Sequence, residues 1–256
     1  MMTDALIGHT GFVGGNLLRQ RAFDACFNSQ NIAEVHGQSF DLLVVSAMPA
    51  VKWLANREPD RDRASLDRLL GDLAKVQARR VVVISTVDVY PRPTEVDETT
   101  PLDVTNHHAY GKHRRMLEEA IAAQFSRVVV VRLPALFGPG LKKNAVYDLM
   151  HDNEVHKIPS AGEFQFYNLE RLWSDLQTAM SHELTLVNFA TATTSMADIA
   201  RHVFDREFDN DLGTPPPRYD MRTIHAAAFG GRDGYLCSRE QVLADLKTFV
   251  QRERKA

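Results

Sequence analysis

The stretch Gly8-His9-Thr10-Gly11-Phe12-Val13-Gly14 places three glycines at intervals of three, directly behind the apolar run Ala5-Leu6-Ile7. A helix N-terminus carries unpaired N–H groups and a partial positive charge, so it suits an anion such as a pyrophosphate. Side chains at the turn would keep that group away, whereas glycine permits both the tight turn and the close approach. The same glycines also suit a plain packing turn between a strand and a helix. Elsewhere the chemistry-bearing residues are sparser. Cys26 and Cys237 lie far apart with no metal-ligand spacing and read as small buried or half-buried thiols. His107, His108 and His113 would allow a metal in principle, but His108 and His113 fall on different helix faces; they read as helix-start and surface residues.

The elements that must position these residues follow from aliphatic runs alternating with helical patterns. Residues 4–8, 25–27, 41–47, 80–86 and 127–133 read as strands, and 184–190 as a later one. Helices are expected over about 12–21, 57–78, 106–125 and 169–182, with a short one near 145–151. In the second of these, Leu66, Leu69, Leu70 and Leu73 share one side; in the third, Glu and Arg pairs are expected on the wet side. The strands barely alternate with polar residues, which marks strands covered on both faces. The rhythm is that of an α/β doubly wound parallel sheet. Capping boxes open two more helices, Ser195 with Asp198 and Ser238 with Gln241. The turn-rich 137–144 and the extended "GTPPPR" (213–218) interrupt the pattern. One folded unit is expected, with a sheet core of about 1–137 plus 168–190. Residues 138–167 and 191–256 would form a small lobe on the substrate side.

Composition excludes several classes. The chain has 256 residues, 44% hydrophobic and 25% charged, as soluble globular proteins do. Its formal charge of −3, without a basic stripe, argues against a nucleic-acid partner. No apolar run is long enough to span a membrane, and the N-terminus lacks the basic region and cleavage site of a signal peptide. A cytoplasmic location is the expectation.

Taken in order, four stretches resemble the extended branch of the short-chain dehydrogenase/reductase superfamily, the epimerase/dehydratase family. They are the G-x-x-G-x-x-G turn; "VVVISTVDVYP" (81–91), with Thr86 four residues before Tyr90; "AYGKHRRMLE" (109–118); and "VVRLPALFGPG" (130–140). "FQFYNLERLWSDL" and "LVNFATATTSMADIA" resemble the branch's later strands and helices. The resemblance implies a Rossmann-type fold binding NAD(P) and a carbonyl or alcohol substrate, a nucleotide-activated sugar above all. It implies a cofactor site made of Gly8, Thr10, Gly11, Phe12, Val13, Gly14, Asn28, Ser29, Ala47, Thr86, Tyr110, Arg114, Pro134 and Leu136. By the same resemblance, Thr86 would hold the substrate oxygen and Tyr110 would exchange its proton. A phenol ionises near pH 10, so working as a base near neutrality needs a shift of roughly three units, about 4 kcal/mol. A positive charge about 4 Å away supplies that order of effect.

The chain departs from the family at three places. Four residues after Tyr110 stands Arg114 where the family has lysine; Lys112, two residues on, points away. Arginine brings charge, but its fork is planar and does not release a proton. The plain alternative is a solvated basic face in which Arg114 and Arg115 pair with Glu118 and Glu119. The end of the second strand, "FNSQN", holds no acid, with Glu34 beyond it, which points to NADP over NAD. Of the acidic pair that dehydratases carry after the Ser/Thr, only Asp88 is present, beside Val87, which disfavours dehydration. Lys52, Trp53, Lys142 and Gln165 are candidate liners of the substrate pocket, and a homodimer through the helices at 57–78 and 106–125 is a further expectation. The resulting reading is an NAD(P)-dependent reductase or epimerase. Its rival, motivated by Arg114, is a catalytically silent NAD(P)-binding protein acting as a redox sensor or a partner subunit.

Overall fold

A computed structural model describes residues 3–255. In chain order the elements are β1 (Thr3–Ile7), α1 (Phe12–Gln20), β2 (Ala25–Phe27), β3 (Ser39–Val45), α2 (Lys52–Arg57), α3 (Pro59–Leu73), β4 (Gln77–Thr86), β5 (Thr94–Val96), α4 (Ala109–Gln124), β6 (Val128–Leu133), β7 (Ala135–Phe137) and α5 (Ala145–His151). There follow β8 (Glu163–Phe164), β9 (Phe166–Asn168), α6 (Leu172–Ser181), β10 (Leu186–Asn188), β11 (Thr194–Ser195), α7 (Met196–Phe204), β12 (Asp220–Met221) and α8 (Arg239–Glu253). The chain forms two compact units. The first comprises the residues up to Pro91, Thr100–Arg132 and Leu176–Val187; the second comprises Arg92–Thr99, Leu133–Asp175 and the residues from Asn188 onward.

The first unit is built on a parallel six-stranded sheet of order β10-β6-β4-β3-β1-β2, the doubly wound arrangement expected. β1 pairs with β2 on one side and with β3 on the other, which puts the end of β1 at an interior position where the glycine turn must leave the sheet. One layer of core joins Ala5 and Ile7 of β1, Leu43 and Val45 of β3 and Val81 and Val83 of β4 to Leu66, Leu69 and Leu73 of α3 and Leu117 and Ile121 of α4. Those helical residues recur at intervals of three and four, so each helix lays one apolar stripe on the sheet.

The expected helix over 57–78 is two helices and the start of a strand. Pro59 lacks an N–H and starts α3 at its first turn, so α2 ends before it. Gln77 pairs with Ser39, so β4 begins inside the range expected to be helical. Residues 133–137 and 168–175 were expected in the sheet core. They belong to the second unit, because β7 pairs with β9 in a separate two-stranded parallel sheet rather than extending the large one.

The second unit adds the short pairs β5–β12 and β8–β11. The Glu98 carboxylate ties it internally, accepting from the Asn188 and Ile224 N–H groups and the Thr223 hydroxyl. Ser195 and Ser238 cap α7 and α8 as their sequences suggest. No helix among the described residues is long and apolar enough to cross a membrane.

Candidate active site

The glycine turn is held by backbone alone. The Gly8 N–H donates to the Phe27 carbonyl at 2.7 Å, and the Gly11 N–H donates to the Gly8 carbonyl at 3.0 Å. Gly8 has a φ of +93°, and a Cβ there would overlap the Ser46 carbonyl and touch Ala47; one at Gly14 would overlap the Gly8 carbonyl. These two glycines therefore let β1, the loop after β3 and α1 approach each other. Gly11 is different: a Cβ would come no nearer than 3.3 Å to the Gly8 carbonyl. The N-terminus of α1 has no side-chain cap and no acid in its first turn, and Thr10 and Gly11 are exposed. Phe12 and Val13 are half-buried. An open, uncapped helix end with a glycine at its cap fits a dinucleotide pyrophosphate.

Beyond β2, Asn28 shapes a turn: its Oδ1 accepts from the Gln30 N–H, and its own N–H donates to Asn31 Oδ1. Ser29 is exposed beside it, and Glu34 lies on a separate short turn.

The second cluster forms where β4 ends and α4 begins. Thr86 leaves β4 into a one-turn 3₁₀ segment, Val87–Val89, and its Oγ1 accepts from the Asp88 N–H at 3.1 Å. Tyr110 stands in the first turn of α4, buried. Three contacts fix that turn. Asn56 Oδ1 of α2 accepts from the Tyr110 N–H at 3.0 Å, His108 Nδ1 accepts from the Gly111 N–H at 3.0 Å, and His107 Nε2 donates to the Asp88 carbonyl at 2.6 Å. Gly111 is pressed against that carbonyl so closely that a Cβ would overlap it. Lys52, one turn before Asn56 on α2, donates to Asp88 Oδ1 at 2.6 Å.

Arg114 is buried, not solvated. Its guanidinium lies 3.9 Å over the Tyr110 ring. Nη1 donates to Asp62 Oδ2 at 2.5 Å and to the Tyr110 carbonyl at 3.3 Å, and Nη2 donates to the Pro49 carbonyl at 2.5 Å. The same Asp62 oxygen meets His113 Nδ1 at 2.7 Å, so His113 is an interior residue rather than a surface one. Arg115 keeps the expected pairing with Glu118 and Glu119, but from a half-buried position. Glu118 also departs from the expected wet face: it is buried, accepts from the Ser85 hydroxyl at 2.5 Å, and takes two bonds from the fully buried Arg132. Arg132 donates as well to the Tyr90 hydroxyl at 2.8 Å. Thr86 thus sits between two anchored neighbours, Ser85 and the turn that ends at Tyr90.

Electrostatics corrects one expectation. Burial pushes the Tyr110 phenol above its ordinary value, and the Asp88 charge adds to this; Arg114, the Thr86 hydroxyl and Lys52 pull the other way without prevailing. The phenol is held protonated at neutral pH, an arrangement suited to giving a proton. Burial, together with His107 and Lys52, lowers His108, which keeps its cap nitrogen available as an acceptor.

The remaining expected residues scatter. Pro134 is buried and Leu136 half-buried, both in the second unit, where the Leu136 carbonyl accepts from Asn144. Gln165 is no pocket liner: its amide is fully engaged, bonding the Thr191 and Met221 carbonyls and the Met221 N–H. Lys142 is exposed, and Trp53 is exposed with Arg57 stacked 4.7 Å over its ring. Asn56, Asp62 and Lys52 were not assigned to the Tyr110 centre from sequence. They lie about fifty residues upstream with no motif around them, and only Lys52 was singled out, as a liner.

A sequence model described as "NAD dependent epimerase/dehydratase family" matches residues 26–161. The chain belongs to that family. No curated protein matches the sequence significantly. Solved structures share the fold over nearly the whole of both chains. A dTDP-4-dehydrorhamnose reductase from Clostridium acetobutylicum is 15% identical, with a TM-score of 0.74 and coverage of 98% of this chain and 99% of the other. A UDP-glucose 4-epimerase from Thermotoga maritima is 16% identical, with a TM-score of 0.71 and 98% of each chain covered. An NAD-dependent NDP-hexosamine 5,6-dehydratase of tunicamycin biosynthesis is 18% identical, with a TM-score of 0.72 and coverage of 98% and 97%. Three reactions on one fold at such low identity leave the reaction of this family member to its own residues.

Proposed function

We propose that this family member is an NAD(P)-dependent oxidoreductase acting on a carbonyl or alcohol carbon of a nucleotide-activated sugar. The observation that carries this reading is Tyr110 in the first turn of α4, its N–H fixed from α2 by Asn56, beside the Thr86 turn after β4, in the same unit as an open glycine turn. Gly8, Thr10, Gly11, Phe12, Val13 and Gly14 would receive the pyrophosphate, with Ala47, Asn28 and Ser29 toward the adenosine. When bound, the nicotinamide supplies or accepts the hydride. Thr86 orients the substrate oxygen by hydrogen bond. Tyr110 gives its proton to that oxygen, and the tyrosinate left behind is reprotonated from water. A phenol held protonated favours the reducing direction.

Among the family's reactions, reduction or epimerisation is favoured over dehydration. Asp88 is the lone acid of the usual pair, and its carboxylate is engaged by Lys52. The absence of an acid after β2 leans the cofactor toward NADP. A homodimer through α3 and α4 is the assembly that accompanies this reading.

A second reading, a catalytically silent dinucleotide-binding protein, has one observation in its favour: the Arg114 donors go to Asp62 and to two carbonyls rather than toward an open site. Turnover of UDP- and dTDP-activated sugars and ketosugars, followed by NADH or NADPH absorbance, decides between the two. Tyr110→Phe should abolish turnover while leaving nucleotide-induced stabilisation intact. Full activity in that variant would remove Tyr110 from the chemistry. Nucleotide binding with no turnover across the panel would favour the silent protein.

A further inference from the structure

Glu118 of α4 and Arg132 of β6 are each 1% exposed and lock together by two bonds, Arg132 Nε to Oε1 at 3.0 Å and Nη2 to Oε2 at 2.7 Å. Stability alone does not call for such a pair. Burying two charges costs about as much as their attraction returns, and apolar residues of similar volume often serve as well. What the pair holds is the turn that carries Thr86. Glu118 Oε1 accepts from the hydroxyl of Ser85, the residue before Thr86, at 2.5 Å. Arg132 Nη1 donates to the hydroxyl of Tyr90, the residue after the one-turn segment Val87–Val89, at 2.8 Å. Ser85 and Tyr90 are themselves buried. Arg115 adds a bond to Glu118 Oε2 at 3.0 Å from a half-buried position.

Ser85 extends the row of Val81 and Val83, which pack against α3 and α4. Successive side chains of a strand leave on opposite sides, so a fixed Ser85 sets the direction in which Thr86 leaves β4. Two N–H groups then close the turn, that of Asp88 on Thr86 Oγ1 at 3.1 Å and that of Tyr90 on the Val87 carbonyl at 3.0 Å. One ion pair thus grips the turn at both ends.

We propose that Glu118 and Arg132 are positioning residues for Thr86. Through Ser85 and Tyr90 they fix the two ends of its turn, and so the direction in which its hydroxyl meets the substrate oxygen. The proposal rests on the reading of Thr86 as the residue that orients that oxygen. The pair acts on the turn alone and takes no part in the proton transfer.

Ser85→Ala and Tyr90→Phe test this, since each removes one tie and leaves the Arg132–Glu118 bonds in place. Amide proton exchange is followed by NMR at positions 88 and 90, with Val82 and Val83 within β4 as the reference. Each variant should speed exchange at 88 and 90 by about tenfold or more, while Val82 and Val83 stay within about twofold of the parent. Where the parent turns over a nucleotide-activated sugar, kcat should fall by about tenfold in Ser85→Ala with KM little changed. Unchanged exchange at both positions in both variants overturns the proposal. An equal rise across β4 also overturns it, because the pair would then be a tie of the whole fold. So does an unchanged kcat in a variant whose turn has loosened. If the parent turns over no sugar while the two amides still respond, the oxidoreductase reading falls and the hold of Glu118 and Arg132 on the Thr86 turn stands.

Discussion

Helices α1 and α4 begin in opposite ways. The first has no side-chain cap, and Thr10 and Gly11 stand exposed at its start. The other is buried, capped by His108 and Asn56, and tied to Asp62 through Arg114 and His113. An open end leaves its N–H groups and its dipole for a ligand. A closed end uses those groups to fix one side chain, Tyr110, against Thr86. The difference teaches that one unit can make a binding end from backbone shape and a reacting end from side-chain partners, and that the two should fail differently when mutated.

The largest loss is expected beneath the closed end. Arg132→Met leaves Glu118 buried without its main partner and should reduce stability by about 3–5 kcal/mol. Urea denaturation would show it as a lower midpoint at unchanged slope; a loss near zero would mean that Ser85 and Arg115 suffice for Glu118.

The open end should separate folding from binding. Gly8→Ala forces a side chain into a positive φ and onto the Ser46 carbonyl, at a cost on the order of 1–3 kcal/mol. Gly11→Ala meets nothing closer than 3.3 Å, so it should stay within about 1 kcal/mol of the parent yet lose nucleotide-induced stabilisation. If both variants lose only stability, the turn is a packing turn.

Arg114→Lys should cost about 1–3 kcal/mol, because an ammonium cannot bridge Asp62 and the Pro49 carbonyl as the fork does. A variant as stable as the parent would show that the tie is dispensable.

The smallest effect is a pH step. His108 caps α4 only while its Nδ1 is unprotonated, and its folded-state value lies below the ordinary 6.5. The folded state therefore binds fewer protons than the unfolded one. Stability should be fully present above about pH 6.5 and decline as pH falls through the lower folded value. His108→Asn, a cap that does not titrate, should flatten that decline.

The same contrast explains what could be read from the sequence. The glycine turn is local: three glycines behind an apolar run specify a strand, a turn and a helix without help from distant residues. The aliphatic strands and the leucines of α3 were legible for the same reason, since periodicity is a local property. The closed end was not. Asn56 meets Tyr110, Asp62 meets Arg114 and His113, and Lys52 meets Asp88 only because α2 and α3 pack beside α4 and the turn after β4, and charged residues in "KWLANREPDRD" look like any solvated helix surface. His113 and Glu118 were expected in water because a helix pattern alone does not say that Asp62 and Arg132 wait on the other side. The second unit's two- and three-residue strands are too short for any pattern to register.

The most direct test of the account is thermal unfolding with NADH, with NADPH and with neither, on the parent and on Gly11→Ala. A nucleotide at about a hundred times its dissociation constant adds roughly 2.7 kcal/mol, a rise of about 5–10 °C for a chain of this size. The account predicts that rise with at least one nucleotide in the parent and its loss in Gly11→Ala. No rise with either nucleotide would contradict it.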